Sequence, residues 1–303
     1  MPTLKITLSA IINTLIFLSA SIVYAENHHS QSTTFRSTQL TDNIFMLQGK
    51  GGNLAMLKGE QGLLLIDADY SEMSAALKDE LAKHGGVKSL GYLINTHWHG
   101  DHTQGNIALG HDAQIIAHDN VRTRLLTSQE IKLFNMVTEP FPQYALPSIT
   151  FKNRLSLYIN NEALSIVHFA NGHTDGDAIV FFEHANIVHM GDHFFSGFYP
   201  FVDVENGGNV LNMAKNIGAV LSMINDETQV IPGHGPLSDK KGLQAFHDML
   251  IGTSSEVSTM NEIGMSLKDI KAAGLTRKWD EWNDGFIATE VWVEIVYNSL
   301  FNK

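Results

Sequence analysis

The chain has 303 residues, of which 44% are apolar and 17% are charged, and it contains no cysteine. This composition is typical of a globular protein with a substantial core. The formal net charge of −12 argues against nucleic acid as a partner, because no basic groove or stripe is present to neutralise phosphates. The lack of cysteine excludes thiolate ligands, disulfides and a cysteine-linked lipid anchor, so any metal site must use histidine and carboxylate.

Residues 1–25 have the features of a secretory signal. Lys5 precedes a long apolar stretch without charge, and Val23 and Ala25 place small residues before a cleavage point. A membrane anchor is the competing interpretation, because the run approaches the ~20 residues that a bilayer span needs. Asn13 and several serines weaken the anchor. We therefore predict cleavage after Ala25, export to the periplasm or the medium, and no stable membrane span afterwards.

The rest of the chain is predicted to form one α/β domain, residues 38–303, after a polar lead-in, residues 26–37. Strands are predicted, in chain order, at 43–48, 53–58, 62–68, 90–97, 113–118, 163–170, 177–183, 186–192 and 228–231. Helices are predicted at 71–86, 102–110, 119–131 and 209–224, with a mostly helical portion from 238 onward. Strands and helices alternate, and the hairpins at the start indicate a mixed sheet.

Candidate metal ligands cluster at the ends of predicted strands, next to glycines. They stand in four places: His97, His99, Asp101 and His102; His173; Asp192; and His234. Imidazole and carboxylate suit zinc, iron or manganese. In an H-x-H pair both rings can reach one ion, whereas Asp101 and His102 turn towards a second position. These ligands are too many for one tetrahedral ion, but two ions that share one carboxylate would use them all.

These segments resemble the metallo-β-lactamase superfamily, whose H-x-H-x-D-H signature stands here as His97-Trp98-His99-Gly100-Asp101-His102. The resemblance covers roughly residues 40–240 and includes "GLLLIDA", "GHTDGD", "HMGD" and "PGHG", in the family's order. It implies an αββα sandwich with two mixed sheets and a site at one edge between them. The implied ligands are His97, His99 and His173 for the first of two Zn²⁺ ions (or Fe or Mn), Asp101, His102 and His234 for the second, and Asp192 as the bridge.

The resemblance also implies the chemistry. A metal-bridging hydroxide would attack the carbonyl of a small-molecule ester, lactone, thioester or β-lactam. Asp101 is a candidate orienter of that hydroxide as well as a ligand, and Asp67 would support the histidine loop from behind. Residues 49–53 are equally compatible with a loop over the site and with a tight hairpin turn, and residues 134–147 are long enough to form a lid. Phe195, Phe198 and Tyr199 are the candidate pocket residues, because this aromatic stretch follows Asp192 directly.

Several other functions remain open on the sequence. The best-known zinc β-lactamases of the superfamily use a cysteine in the second site, so its absence favours the dinuclear branch that contains glyoxalase II, lactonases and esterases. Export favours a β-lactamase. A phosphodiesterase of small phosphate esters would use the same metals. A mononuclear iron dioxygenase of sulfur compounds would need only two histidines and one aspartate, and a non-catalytic metal-binding protein would need no reaction at all.

Overall fold

The strands and helices described here come from a computed structural model, which describes residues 34–302. The predicted signal, and the lead-in before residue 34, lie outside the described residues. The strands are β1 (Arg36–Gln39), β2 (Ile44–Gln48), β3 (Leu54–Gly59), β4 (Gly62–Ile66), β5 (Leu90–Ile94), β6 (Gln114–His118), β7 (Gln129–Ile131), β8 (Met136–Thr138), β9 (Ile149–Phe151), β10 (Arg154–Ile159), β11 (Glu162–His168), β12 (Ala178–Phe182), β13 (Ile187–His189), β14 (Gln229–Ile231) and β15 (Ser238–Asp239).

Within residues 34–302, each half of the chain has four α-helices, and those of the first half are on average shorter. They are α1 (Ser74–Ala82), α2 (Gly100–Thr103), α3 (Asn106–Leu109), α4 (Asp119–Leu125), α5 (Val210–Met223), α6 (Lys240–Glu262), α7 (Leu267–Ala273) and α8 (Thr289–Phe301). Side chains cap the later helices. Asn209 and Asp239 accept backbone N–H groups at the starts of α5 and α6, and Ser266 forms a capping box at α7.

Two mixed sheets carry the fold. The first has seven strands in the order β1-β2-β3-β4-β5-β6-β9, and the second has six in the order β10-β11-β12-β13-β14-β15. Strands β7 and β8 form a separate antiparallel hairpin. The pairs β4–β5 and β13–β14 are parallel, so the chain segments that follow these four strands leave each sheet at one edge.

The alternation of side chains along each strand divides the core into layers. In β2, Ile44 and Met46 pack between the sheets, whereas Phe45 and Leu47 pack on the outer face, which α1 covers through Leu77. The outer face of the second sheet packs against α5, α6 and α8. The order of layers is therefore helix, sheet, sheet, helix, which confirms the predicted αββα sandwich.

Several elements differ from the prediction. Strand β1 crosses the predicted start of the domain at residue 38, and β10 was not predicted, although its residues alternate between exposed and more buried positions as in an edge strand. The predicted helix 102–110 is interrupted, so α2 and α3 are single turns. The predicted helix 119–131 ends at Leu125, and its last residues form β7. Among residues 34–302, no helix is long and apolar enough to cross a membrane.

Candidate metal centre

Three histidines and one aspartate converge at the edge between the sheets. All four are buried, and one candidate ligand atom from each lies within 4.8 Å of the others: His97, His99, His173 and Asp192. Nδ1 of His99 is 2.9 Å from Nε2 of His173, which is 3.3 Å from Oδ2 of Asp192. Three imidazoles and a carboxylate at this spacing are a donor set for a divalent transition metal. We call these residues the first group.

A second group lies beside the first and consists of Asp101, His102 and His234. Nε2 of His234 is 3.2 Å from Oδ2 of Asp101 and 3.5 Å from Nε2 of His102. His102 is buried, whereas the other two side chains are partly exposed and line a cavity. The second group therefore lies on the side from which a substrate would enter.

Asp192 lies between the two groups. Its Oδ1 is 3.0 Å from Nε2 of His102, and its Oδ2 is 3.3 Å from Nε2 of both His173 and His234. One carboxylate therefore contacts rings of both groups, as a bridging ligand would. The structure thus brings together all seven residues that the sequence singled out as metal ligands.

Two of the histidines are fixed by neutral oxygen atoms on the side away from the cluster. Nδ1 of His173 donates to the carbonyl of Phe201 at 2.8 Å. Nδ1 of His97 is 3.1 Å from the hydroxyl oxygen of Thr96. This hydroxyl donates its own hydrogen to Asp67, so its oxygen is free to accept. Because each N–H points outward, the other ring nitrogen presents its lone pair to the cluster.

Two further histidines are fixed by buried carboxylates. Nε2 of His99 is 3.0 Å from Oδ2 of Asp203, and Nδ1 of His102 is 2.7 Å from Oδ2 of Asp67. A carboxylate that accepts the outward N–H orients the ring and makes the opposite nitrogen a stronger ligand. Four separate acceptors therefore aim four imidazole lone pairs at one small volume.

Atoms without hydrogen-bond partners lie inside this cluster. Among residues 34–302, four buried side-chain polar atoms have no partner, and two of them are Nε2 of His97 and Oδ1 of Asp192. Buried polar atoms are normally paired. An imidazole nitrogen and a carboxylate oxygen left unpaired at the same place are metal-ligand atoms, so the residues present fit a metal site.

The two groups differ in their electrostatics. Burial, assisted by the neighbouring ring of His99, lowers the pKa of His173 to about 4. Burial opposes the charge of His234 as well, but the carboxylates of Asp192 and Asp101 outweigh it and raise the pKa of His234 to about 9. At neutral pH the metal-free chain therefore holds a neutral ring at His173 and a protonated ring at His234.

The segment after β4 has an unusual backbone. Asp67 and Asp69 lie in the left-handed region, with φ of 62° and 58°, which favours glycine, asparagine and aspartate. The carboxylate of Asp67 accepts the backbone N–H of Thr96 at 2.8 Å, besides the contact with His102. The Asp67 side chain therefore ties the histidine loop to β4, the supporting role that the sequence suggested.

Asp69 fixes the loop on the other side of the site. Its carboxylate accepts the backbone N–H groups of Lys50 at 3.0 Å and of Gly51 at 2.8 Å, which belong to the loop between β2 and β3. This loop approaches the ligands closely. A Cβ added at Gly52 would lie 2.1 Å from Cε1 of His102, so only glycine fits there. Residues 49–53 thus border the site, which agrees with the loop interpretation.

A cavity of about 320 Å³ opens over the ligands. Its apolar lining consists of Ile131, Phe134, Met136, Phe195, Phe201 and Phe286, and its polar lining includes Lys50, Tyr70, His99, Asp101, Asp192 and His234. The cavity therefore combines an apolar wall with the exposed edge of the metal site. Such a combination is typical of a small-molecule site.

The structure separates the three predicted pocket aromatics. Phe195 lines the cavity, and its ring stacks on His234 at a centroid distance of 5.0 Å. Phe198 lies behind Phe195 at 6.0 Å and is absent from the lining. The prediction for Tyr199 was wrong: its ring is fully buried and stacks on Trp292, and its hydroxyl donates to the carbonyl of Trp279. Tyr199 is a core residue, because the chain turns inward after Gly197.

Sequence reasoning missed several residues of the site. Asp203 lies 104 positions from His99 in the sequence and belongs to no motif, so no local signal pointed to it. Thr96 directly precedes His97, so its place in the sequence could have pointed to its contact with this ligand. Within the candidate lid segment 134–147, only Phe134 and Met136 reach the cavity. Phe286 carried no signal, since it stands far from every ligand segment.

The family description "Metallo-beta-lactamase superfamily" matches residues 48–238 of this chain. A probable metallo-hydrolase of Methanocaldococcus jannaschii is 27% identical over 206 residues, which cover 65% of this chain and 95% of the relative. A beta-lactamase-like protein 2 homolog of Caenorhabditis elegans is 25% identical over 203 residues, which cover 65% of this chain and 59% of that protein.

Solved structures share the fold. A stereoselective inverting sec-alkylsulfatase from Pseudomonas sp. superposes with a TM-score of 0.68 at 16% identity, over 88% of this chain and 50% of that one. A metallo-beta-lactamase from Pontibacter korlensis superposes with a TM-score of 0.58 at 16% identity, over 72% of this chain and 99% of that one. The chain thus spans about half the length of the sulfatase. With a family match over most of its sequence, the αββα layers and the histidine–aspartate cluster, this chain belongs to the metallo-β-lactamase superfamily.

Proposed function

We propose that this chain is an exported dinuclear zinc hydrolase that cleaves a carbonyl compound, with an ester, lactone or thioester as substrate. The superfamily consists mostly of hydrolases, and the histidine–aspartate cluster fits a metal site. The observation that carries the proposal is the position of Asp192. Its two oxygens contact rings of both ligand groups, within 3.0 Å of His102 and 3.3 Å of His173.

Two ions bound here would supply an activated water at neutral pH and would polarise the carbonyl. The chain's own residues prepare the place for this chemistry. Asp101 is partly exposed at the cavity, and its Oδ2 is 3.2 Å from His234. Although burial opposes it, the charge of His102 and the hydrogen bond with His234 lower the pKa of Asp101 to about 2. Asp101 is therefore a carboxylate at neutral pH and can accept a hydrogen bond from the attacking water.

Tyr70 supports the same site from the cavity wall. Burial, together with the nearby charge of Asp101, raises the pKa of its hydroxyl. The hydroxyl therefore keeps its hydrogen at neutral pH. In the proposed reaction it donates a hydrogen bond to a substrate oxygen, which helps to orient the substrate in the cavity.

The charges of the cavity favour an ester over a β-lactam antibiotic. Penicillins and cephalosporins carry a carboxylate, which a binding site must neutralise. Apart from the metal site with His234, Lys50 is the sole cationic side chain among the lining residues given above, and its Nζ is already bound to the carboxylate of Glu72. β-Lactam hydrolysis is therefore the second candidate.

The remaining alternatives use less of the site. A mononuclear iron dioxygenase would need two histidines and one aspartate, whereas both groups here are complete and share Asp192. A non-catalytic protein would need no cavity, yet a cavity of about 320 Å³ meets the partly exposed ligands. Both observations support the hydrolase.

The test uses purified residues 26–303 loaded with zinc, and the same chain with His99→Ala. The substrates are an aryl ester, a lactone, a thioester and a chromogenic cephalosporin, with a secondary alkyl sulfate because of the sulfatase likeness. We expect ester, lactone or thioester turnover that the variant lacks, with two zinc ions per chain. Two bound ions without turnover of any carbonyl substrate would overturn the proposal. Export is tested separately by fractionating cells that express the full chain.

A further inference from the structure

Two aromatic side chains contact each other at the opening of the cavity. Phe134 belongs to the turn between β7 and β8, and Phe286 belongs to the loop before α8. Their ring centroids are 6.2 Å apart. Phe286 also lies 5.9 Å from the ring of His234 and 6.0 Å from Phe195. The two rings therefore stand directly over the exposed part of the ligand cluster.

Phe286 is 54% exposed, although it is large and apolar. An exposed phenylalanine at the rim of an apolar cavity gains contact area when an apolar ligand binds. Below it, the cavity continues with Phe195 and Phe201, and Phe134 packs on Phe201 at 4.9 Å. The apolar surface is thus continuous from the rim to the buried wall.

One of the two rim residues, Phe286, comes from outside the family match, whereas Phe134 lies within it. Phe286 follows a 3-10 helix, Arg277–Asp284, and stands well beyond the matched residues 48–238. The segment is anchored in the core: Trp282 and Ile287 on either side of Phe286 are buried in the cluster around α6 and α8. The position of Phe286 is therefore fixed by the C-terminal helices rather than by the metal site.

We propose that Phe134 and Phe286 form an aromatic clamp that selects esters with an extended apolar chain. The inference rests on the proposed hydrolase function and names its substrate class. The two rings are in contact with each other, so the chain of the ester lies along the apolar surface that they form with Phe195 and Phe201, while its carbonyl meets the edge of the ligand cluster. Lys50, paired with Glu72, leaves the cavity without a free cation outside the metal site, so the chain that fits here is uncharged.

The activity test compares p-nitrophenyl acetate, butyrate and octanoate with the zinc-loaded protein and its Phe286→Ala variant. Each buried methylene raises binding by about threefold to fourfold. With part of the chain buried, we expect kcat/KM to rise about tenfold from butyrate to octanoate. In the variant the rise falls to about twofold, because half of the clamp is removed. A second series, with the chain on the alcohol side of acetate esters, shows whether the chain lies on that side.

A binding test is independent of turnover. Calorimetry measures the affinity of the zinc-loaded protein for octanoate and for acetate. We expect octanoate to bind at least about tenfold more tightly, and this gap to shrink to about threefold in Phe286→Ala. Zinc content is measured for both proteins, since Phe286 contacts His234.

The matched control is Phe301→Ala. Phe301 is 38% exposed on α8 and contacts Tyr297, far from the cavity lining. This variant should keep the chain-length dependence of the parent. Equal binding of octanoate and acetate, with rates that do not depend on chain length in either series, would overturn the clamp while leaving the hydrolase in place. A binding gap that Phe286→Ala removes, in a protein that hydrolyses no ester, would support the clamp and overturn the proposed reaction.

Discussion

The two ligand groups are built differently, although they share Asp192. In the first group all side chains are buried, and the outward nitrogen of each ring is held by an oxygen acceptor. In the second group Asp101 and His234 are 17% and 16% exposed and border the cavity. In the proposed dinuclear site, the first group would therefore hold its ion away from solvent, and the second would combine an ion with access for a substrate.

The largest effect on metal content and activity is expected from a change at Asp192, which both ligand groups share. Asp192→Asn keeps the size of the side chain but removes its charge from both groups. We expect zinc content to fall for both ions and kcat/KM to fall by roughly a thousandfold, as when a charge at a reacting centre is lost. Mass spectrometry and the ester assay measure the two effects. The control is Asp226→Asn, whose side chain is 84% exposed. Retention of both ions in Asp192→Asn would contradict the bridge.

The two ligand groups can be tested separately through the carboxylates that orient their histidine rings. Asp203 contacts His99 of the first group, whereas Asp67 contacts His102 of the second. Asp203→Asn should weaken the first ion by about 10- to 100-fold and spare the second. Asp67→Asn should weaken the second ion by a similar factor and the first ion less, because Asp67 reaches His97 only through the Thr96 hydroxyl. Asparagine suits the left-handed backbone at position 67. Competition with a chromophoric chelator gives the two affinities. Equal losses at both ions in each variant would mean that the groups do not act separately.

The pH dependence should distinguish the groups as well. In the metal-free chain the pKa of His234 is raised to about 9, so below that pH a proton must leave before an ion binds. The affinity of the second ion should therefore fall by at least about tenfold per pH unit as the pH drops from 9 to 6, since the carboxylates of Asp192 and Asp101 outweigh burial and raise the pKa of His102 as well. The pKa of His173 is about 4, so its proton does not compete in that range. Chelator competition at each pH measures both ions, and parallel curves would contradict the assignment.

Exposure predicts the order of metal loss. A chelator reaches the cavity side first, so the second ion should leave severalfold faster than the first. A chromophoric chelator in excess would record two phases of similar amplitude. In Asp203→Asn the slow phase should become faster, since His99 is held less firmly. A single phase in the parent protein would contradict this order.

The smallest effect concerns the residue that proved to be core. Tyr199→Phe removes the hydroxyl that donates to the carbonyl of Trp279, at a cost of about 1 kcal/mol in the free energy of unfolding. Because Tyr199 lies outside the cavity, kcat/KM should not change. Thermal unfolding and the ester assay test both statements. A change in substrate preference would instead indicate that Tyr199 contributes to the substrate pocket.

The ligand cluster could be predicted from the sequence because its ligands stand in short local motifs. His97, His99, Asp101 and His102 stand within six positions, and strands that follow one another bring the other ligands to the same edge. The alternation of strands and helices predicted the α/β class, and the family resemblance implied the αββα layers. Strand β10 was missed because its segment was assigned to a connection, although its sequence alternates: Leu155, Leu157 and Ile159 pack on the core, and the residues between them are exposed.

The cavity wall was much harder to predict. Phe286 and Asp203 reach the site only through packing between distant segments, and no local pattern distinguishes them from other phenylalanines and aspartates. Tyr199 shows the converse problem, because an aromatic residue close to a ligand in sequence can turn into the core. Residues that act through the fold rather than through a motif therefore require the structure.

The left-handed backbone at Asp67 and Asp69 has a practical meaning for redesign of this scaffold. Main-chain geometry restricts both positions to a few small polar residues or glycine, and their carboxylates are already engaged with the histidine loop and with residues 50–51. Random substitution of Asp67 and Asp69 would therefore give few useful variants. Randomisation is better directed to Phe134 and Phe286, which border the cavity without belonging to either ligand group.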